Sequence, residues 1–541
     1  MSGTSRQPGA GSLFPPIEVG SFVSHRQDKS EFIGSASGIF FINTVFRAFA
    51  GASAYGAELT GAARGAATPE SVHGFLTAID SDQEPVGDGD FLLELINSPA
   101  EPDLDCTSGY SYGINIPGLG SPPTPAAAKK LLMVYFQKWH PFYPFLHGPT
   151  FFNKVDQFYD ISSPEAQGTR SRESLRDKLC RAVCFQCIFN IAAINVGNPE
   201  LLPPQSRITS PDLLTGLIGI LAGGQDVEAL QVLLAVELYL ITRMASRAAS
   251  TVHGTLTRVL YQAGLHRCPF RYVQLPNDMR AIRQRIWWCT YVLDRYLSQA
   301  LGHPLSISDE EVDVCIPGMP ELHNPVRTCH PSSTVTDGAE IRAHLPMNHE
   351  SFMRDNGVAD TAATASSDTA DSQSPAHHYK RRPEDAGSLV LGYTVTYTQI
   401  FGAALRLFHS SIHKRSITLD SVLDITSRVH SWWNSLPASL QDEDTTGSKS
   451  SYGPYFAVLY HHLIIFINRP FLSLPTHRED FRSSLQSALN SSRTIIRQLQ
   501  TGPKDSLLLA WPGALASIWM SSLVVAYASL LKIYPPEKGL V

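Results

Sequence analysis

The chain has 541 residues, 43% of them hydrophobic and 17% charged; soluble domains average about 25% charged, so packed elements, not solvated coil, must make up most of it. At about 150 residues per domain, that length holds two to four domains' worth of material. Lys plus Arg total 43 and Asp plus Glu 49, for a net charge of −6, which offers no basic footprint for a nucleic-acid backbone. The 8 cysteines are too sparse for a disulfide framework and fit a reducing, intracellular setting. The N-terminus, MSGTSRQPGAGSLFPP, lacks the apolar run of a secretory signal.

Residues 1–120 mix Gly, Pro, Ser and Asp with short apolar patches and show no sustained period, which predicts a loosely ordered N-terminal arm. Within it, Gly109-Tyr110-Ser111-Tyr112-Gly113 matches the G-x-S-x-G nucleophile elbow. Its context is wrong for a hydrolase, because no apolar strand precedes it and INIPGLGSPPTP after it cannot be a helix. The first strong helix signal comes next: Thr124 can cap, Pro125 suits the first helical position, and AAAKKLLMVYFQKWH runs to Pro141.

A first helical block is expected over 121–330, from recurring apolar runs of helical length such as LRDKLCRAVCFQCIFNIAAINVG, VEALQVLLAVELYLITRMAS and IRQRIWWCTYVLDRYLSQALG. Cys180, Cys184 and Cys187 fall on one face of the first of these, where thiols serve as small core hydrophobes. In the last, Ile286, Leu293, Leu297 and Leu301 share a face, and Gly302 then Pro304 mark its end. The acidic run Asp309-Glu310-Glu311-Val312-Asp313 reads as a helix start capped by Ser308, with acids facing the positive end of the dipole. A helical enzyme handling a lipid or prenyl substrate through magnesium at 309–313 is the alternative from another class.

Between 331 and 385 the composition predicts a disordered insertion, since Ala359–His378 contains no Leu, Ile, Val, Met or aromatic residue. Lys380-Arg381-Arg382 closes it as a short basic run of the kind that can act as a nuclear address. A second helical block is expected over 386–541, with SVLDITSRVHSWWNSLP, YFAVLYHHLIIFINRPFL and the uncharged segment Ser506–Leu531. That segment is long enough to span a bilayer core of about 30 Å, but Pro512-Gly513 and several serines interrupt it, so a buried core helix is expected and no membrane association. No P-loop, dinucleotide glycine fingerprint or H-E-x-x-H occurs. The expected fold is therefore all-α, with two helical blocks packed as one large regulatory domain.

Taken in order, several segments resemble the fungal-specific transcription factor domain, the helical regulatory region that accompanies the zinc binuclear cluster. They begin with Tyr135-Phe136, His140-Pro141, Pro144-Phe145-Leu146-His147 and Pro149-Thr150-Phe151. They continue with Gly264-Leu265-His266, then Arg285-Ile286-Trp287-Trp288, Asp294-Arg295, and Gly302-His303-Pro304. Trp433 to Pro437 and Tyr460 to Arg469-Pro470 close the set, and Gly34-Ser35-Ala36-Ser37-Gly38 extends it upstream. His303 stands where the family commonly has Arg.

No C-x2-C-x6-C occurs in the chain, so the family's DNA-reading module is absent from it and no residue is assigned to DNA, metal or catalysis. The resemblance implies a nuclear transcriptional regulator of a metabolic or biosynthetic gene set, without a cofactor of its own. Either its zinc cluster is missing through truncation or the chain is a co-regulator acting through a DNA-bound partner or other transcription regulators. A small-molecule effector and a homodimer are further partners the family suggests. The motif residues themselves read as scaffold, with Trp287 and Trp288 as anchors and Arg285, Asp294 and Arg295 as charges that need partners if buried.

Overall fold

Caps and apolar stripes set the element boundaries in this computed structural model, which describes residues 20–24, 30–42, 45, 110–160, 174–196, 199–319, 323, 384–441, 452–501 and 511–532. The expected disordered insertion, the basic run Lys380–Arg382 and most of the expected N-terminal arm lie outside these residues. Among the described residues the strands are β1 (Gly20–Ser24) and β2 (Ser30–Gly34), paired antiparallel with Phe22 opposite Phe32. All other regular structure among the described residues is helical.

The first block comprises α1 (Pro125–Lys138), α2 (Gly148–Tyr159), α3 (Leu175–Ala193), α4 (Pro211–Gly216), α5 (Ile218–Ala222), α6 (Val227–Thr242), α7 (Ser246–Gln262) and α8 (Asn277–Leu301). The second comprises α9 (Glu384–His409), α10 (Leu419–Ser435), α11 (Ala438–Gln441), α12 (Gly453–Asn468), α13 (Glu479–Thr501) and α14 (Pro512–Leu530). Thr124 accepts the Ala127 N–H with Pro125 in the first turn, Ser174 accepts from Asp177, and Asp226 accepts from Ala229. Each cap satisfies an N–H that the helix itself cannot.

Many helices adjacent in sequence pack as neighbours, α6 and α1 pack on α3, α10 packs on α12, and α8 against α9 joins the two blocks. One hydrophobic core runs through both blocks, from Leu131 and Phe185 to Leu405 and Phe456. A smaller cluster under α12, α13 and α14 takes in Phe41 and Val45 from the N-terminal region. Ala36 and Leu119 are likewise buried, so these parts of the chain before α1 are packed elements.

Of the segment 506–531, residues 511–531 are among those described, and they form a helix that is only partly the buried core helix expected. Pro512 and Gly513 open α14, as suits a residue whose missing N–H is harmless in the first turn. Ser517 and Ser521 return their hydroxyls to carbonyls four residues back, at 2.8 and 2.7 Å, so they sit in an apolar helix without unmet polar groups. The helix is not buried all round, however: Ala514, Val524 and Tyr527 face α12 and α13, while Leu515 and Trp519 are 44% and 42% exposed. By length and composition it is also long and apolar enough to cross a membrane.

Candidate functional site

Most of the matching motif residues serve as joints within the first block, while Arg295 reaches the seam between the two blocks. Gly264, at φ +70, ends α7 with the Leu265 N–H returning to Leu260 O, which turns the chain and buries Leu265. His266 lies tilted against the Tyr261 ring at 5.4 Å, and burial lowers its pKa below the ordinary value. On α8, Arg285 donates Nε to Ala281 O at 3.4 Å, Trp287 is fully buried against Tyr261, and Trp288 donates Nε1 to Cys315 O at 2.8 Å. Gly302, at φ +71, caps α8, and Pro304 O accepts from Ser298. Arg469 is buried and donates to Ser35 O and Ala36 O at 2.9 and 3.1 Å, ahead of Pro470 in a short 3-10 turn.

Asp294 and Arg295 form the centre of a buried charge network. Asp294 accepts from Arg295 Nη1 at 2.8 Å, from His253 Nε2 at 3.1 Å and from the backbone N–H groups of Ser306 and Ile307. His253 also meets Glu237 at 2.9 Å, and both are buried. Arg295, fully buried, reaches Ile307 O and Asp309 with Nη2 and lies 3.5 Å over the Tyr291 ring. Tyr291 and Arg406 also bind Asp309, the latter bringing α9 into the network.

Burial alone would lower the His253 pKa, but the Glu237 charge and the bonds to both carboxylates outweigh it and raise the value to about 10. Burial likewise opposes ionisation of Asp294 and Asp309, and their cationic partners hold both below the ordinary range. Glu237 is held above it, burial being the larger effect. Buried charges survive here because each is paired.

Next to this network lies a cavity of about 70 Å³ at the seam, walled by α8, α9, α12 and the start of α14. One water needs roughly 10–15 Å³ by such a measure, so there is room for a small organic molecule. Tyr143 and Tyr296 meet Trp511 there at ring separations of 5.4 and 4.9 Å, and Tyr397 stacks on Phe401 at 6.0 Å. The polar groups on the lining include Arg295, Gln299, His462 and Ser517. Ser517 gives its hydroxyl hydrogen to Gly513 O at 2.8 Å, so its oxygen accepts from His462 Nδ1 at 2.9 Å, which leaves Nε2 as the acceptor of that ring. Burial, then the Arg469 charge, lowers the His462 pKa to about 4, so the ring is neutral.

The other motifs singled out in the sequence have structural employment. Ser111 is exposed and accepts the Gly113 N–H, with neither strand nor helix around it. Cys180, Cys184 and Cys187 line the buried face of α3, and burial pushes the first two thiols to about 11 and about 12 and the third well up. The acidic run forms a single 3-10 turn rather than a helix start, although Ser308 does cap it, accepting from Glu310. Asp309 belongs to Arg295 and Arg406, and Asp313 to Arg271, so the run presents no open carboxylate cluster for magnesium.

Sequence reasoning missed Glu237, His253 and Arg406. The signal for Glu237 was present: one acid inside LLAVELYLIT must find a buried partner.

The family model described as "Fungal specific transcription factor domain" matches residues 132–327. The chain is 38% identical over 542 residues to "Probable transcription factor FUP6" of Fusarium proliferatum, covering 96% of this chain and 72% of that protein. It is 20% identical to "Transcriptional activator protein acu-15" of Neurospora crassa, covering 68% of this chain and 33% of that one. Over 220 residues it is 26% identical to "Terreic acid cluster-specific transcription factor atF" of Aspergillus terreus, covering 40% of this chain and 32% of that one. These relatives are transcription factors, not enzymes, and the lipid or prenyl alternative has no support among them. No solved structure matches.

Proposed function

Because the chain belongs to the fungal-specific transcription factor domain family, we propose that it controls a biosynthetic gene set from the nucleus and responds to a small molecule held in the seam cavity. The observation that carries this reading is the position of the cavity. Its walls come from both helical blocks, and Arg295 belongs at once to its lining and to the charge network that spans α6, α7, α8 and α9. A ligand that bound one arrangement of the seam better than another would shift the balance between them by its differential affinity. The relationship to a cluster-specific regulator supports the biosynthetic assignment.

The lining selects chemistry. Aromatic walls favour a flat, largely apolar molecule, and the neutral His462 offers an acceptor for a hydroxyl or N–H donor. Deleting the gene should lower one co-regulated set of biosynthetic transcripts, read by transcript sequencing. Wild-type DNA should restore them, whereas Ala514→Phe, which fills the lining beside Ser517, should restore less than half. Transcripts unaffected by deletion would end this reading.

A second expectation concerns DNA. With net charge −6, the whole chain works by meeting other regulators, not by gathering phosphates. The 541-residue chain should therefore shift no promoter fragment in a gel at about 150 mM salt. A tight complex that survives competition by nonspecific DNA would refute this.

A further inference from the structure

The turn after α7 and the segment after α8 meet side by side, with Arg267 and Asp313 joined in a parallel bridge. That bridge brings Cys268 and Cys315 together in the interior, at 0% and 6% exposure, with their sulfurs 3.6 Å apart. Cys315 Sγ lies 3.4 Å from His323 Nδ1, and the three ligand atoms all fall within 4.8 Å of one another. A disulfide would need about 2.05 Å between the sulfurs. A tetrahedral ion with metal–sulfur bonds of about 2.3 Å and metal–nitrogen bonds of about 2.0–2.1 Å spans edges of about 3.8 Å between sulfurs and about 3.5 Å from sulfur to nitrogen. The two edges that meet at Cys315 match the second geometry, and the third, from Cys268 to His323, lies within 4.8 Å.

What surrounds the three atoms is also built. His323 Nε2 faces Asp313 Oδ1 at 3.7 Å, longer than a hydrogen bond, and Asp313 is anchored by Arg271 at 2.7 Å, so a fixed carboxylate stands behind the ring where the partner of a ligating histidine belongs. The Cys315 carbonyl accepts Gln284 Nε2 at 2.6 Å and Trp288 Nε1 at 2.8 Å, so α8 fixes the backbone that carries the thiol. We propose that Cys268, Cys315 and His323 hold one zinc-class ion, a soft tetrahedral dication, which pins the exit of α8 to the turn that enters it. Two thiolates and a neutral imidazole leave a dication uncharged overall, which suits a buried position better than either thiolate alone. The site escapes a search by motif because its two cysteines stand 47 residues apart.

The test uses the full-length chain purified without chelator. Elemental mass spectrometry should find one zinc per chain, falling below a tenth in Cys268→Ser and in Cys315→Ser. Asp313→Asn should weaken binding about 10–100-fold, as loss of a partner to a ligating histidine does. Since the cysteine variants could fail to fold, the wild-type protein carries an independent readout. After zinc removal, titration with cobalt should produce a thiolate-to-cobalt charge-transfer band, and added zinc should protect Cys268 and Cys315 from alkylation. No band in the wild-type protein, alkylation indifferent to zinc, or a Cys268–Cys315 disulfide in the freshly isolated chain would each overturn the proposal.

Discussion

Replacing Arg295 with leucine should cost about 3–5 kcal/mol of folding stability, the range seen when one partner of a buried ion pair is removed. Leucine fills part of the volume but answers none of the four groups that Arg295 now serves: Asp294, Asp309, Ile307 O and the face of Tyr291. Asp309 retains Arg406 and Asp294 retains His253, so the loss is not total. The thermal midpoint should fall on the order of 5–10 °C. A change under about 1 kcal/mol would show that the network relaxes freely.

The same network should give the stability a pH signature. His253 goes from an ordinary 6.5 to about 10 on folding, so its contribution is complete below pH 6.5 and is lost as pH rises towards 10. Asp294 and Asp309 are held below their ordinary 3.8, so their contribution is present above that value and fades as pH falls through their lowered folded values. His253→Gln should therefore flatten the alkaline limb of a denaturation-versus-pH curve while leaving the acid limb in place. An alkaline limb unchanged by the substitution would exclude His253 as its source.

The difference between what was legible in the sequence and what was not follows from range. Helices could be read because caps and stripes are local: Thr124 and Gly302 each announce a boundary within four residues. Arg285, Asp294 and Arg295 could be named as charges in need of partners, but His253, Glu237 and Arg406 come from three other helices, and no spacing rule connects them. The 3-10 turn at 309–311 reads as a helix start because a cap followed by acids is common to both; the tie of Asp309 to Arg295 and Arg406 lies beyond the local pattern. The exposed face of α14 escaped for a different reason. Leu515 and Trp519 are apolar, and a residue's hydrophobicity does not reveal whether a neighbour covers it.

Gly302→Ala should be far more damaging than Gly264→Ala, although the two glycines do the same local work. Both end a helix in the left-handed region, at φ +71 and +70, and alanine there costs about 1–2 kcal/mol from backbone strain alone. A Cβ at Gly264 meets nothing within 4 Å, so that strain is its whole cost. A Cβ at Gly302 lands 2.4 Å from Gly34 Cα, against backbone that cannot swing aside. The N-terminal segment would have to move, and with it the bond from Ser37 to Ala300 O, the contact of Ser35 with His409 and the two bonds that Arg469 makes to Ser35 O and Ala36 O. The added cost should be about 2–4 kcal/mol, in line with other overpacked or network-breaking changes.

Gly34→Ala separates the two effects. No left-handed strain attaches to position 34, yet its Cβ would lie 1.8 Å from Gly302 O, so it should reproduce the contact cost alone. Hydrogen exchange supplies the spatial check: in Gly302→Ala and Gly34→Ala the amides of 30–42 should lose protection while α3 and α6 keep theirs, because Ala36 is the segment's one side chain in the main core and Phe41 belongs to the smaller cluster. Equal stability losses at 302 and 264 would mean that the glycine contact contributes nothing, and that the left-handed cap is the sole reason for glycine there.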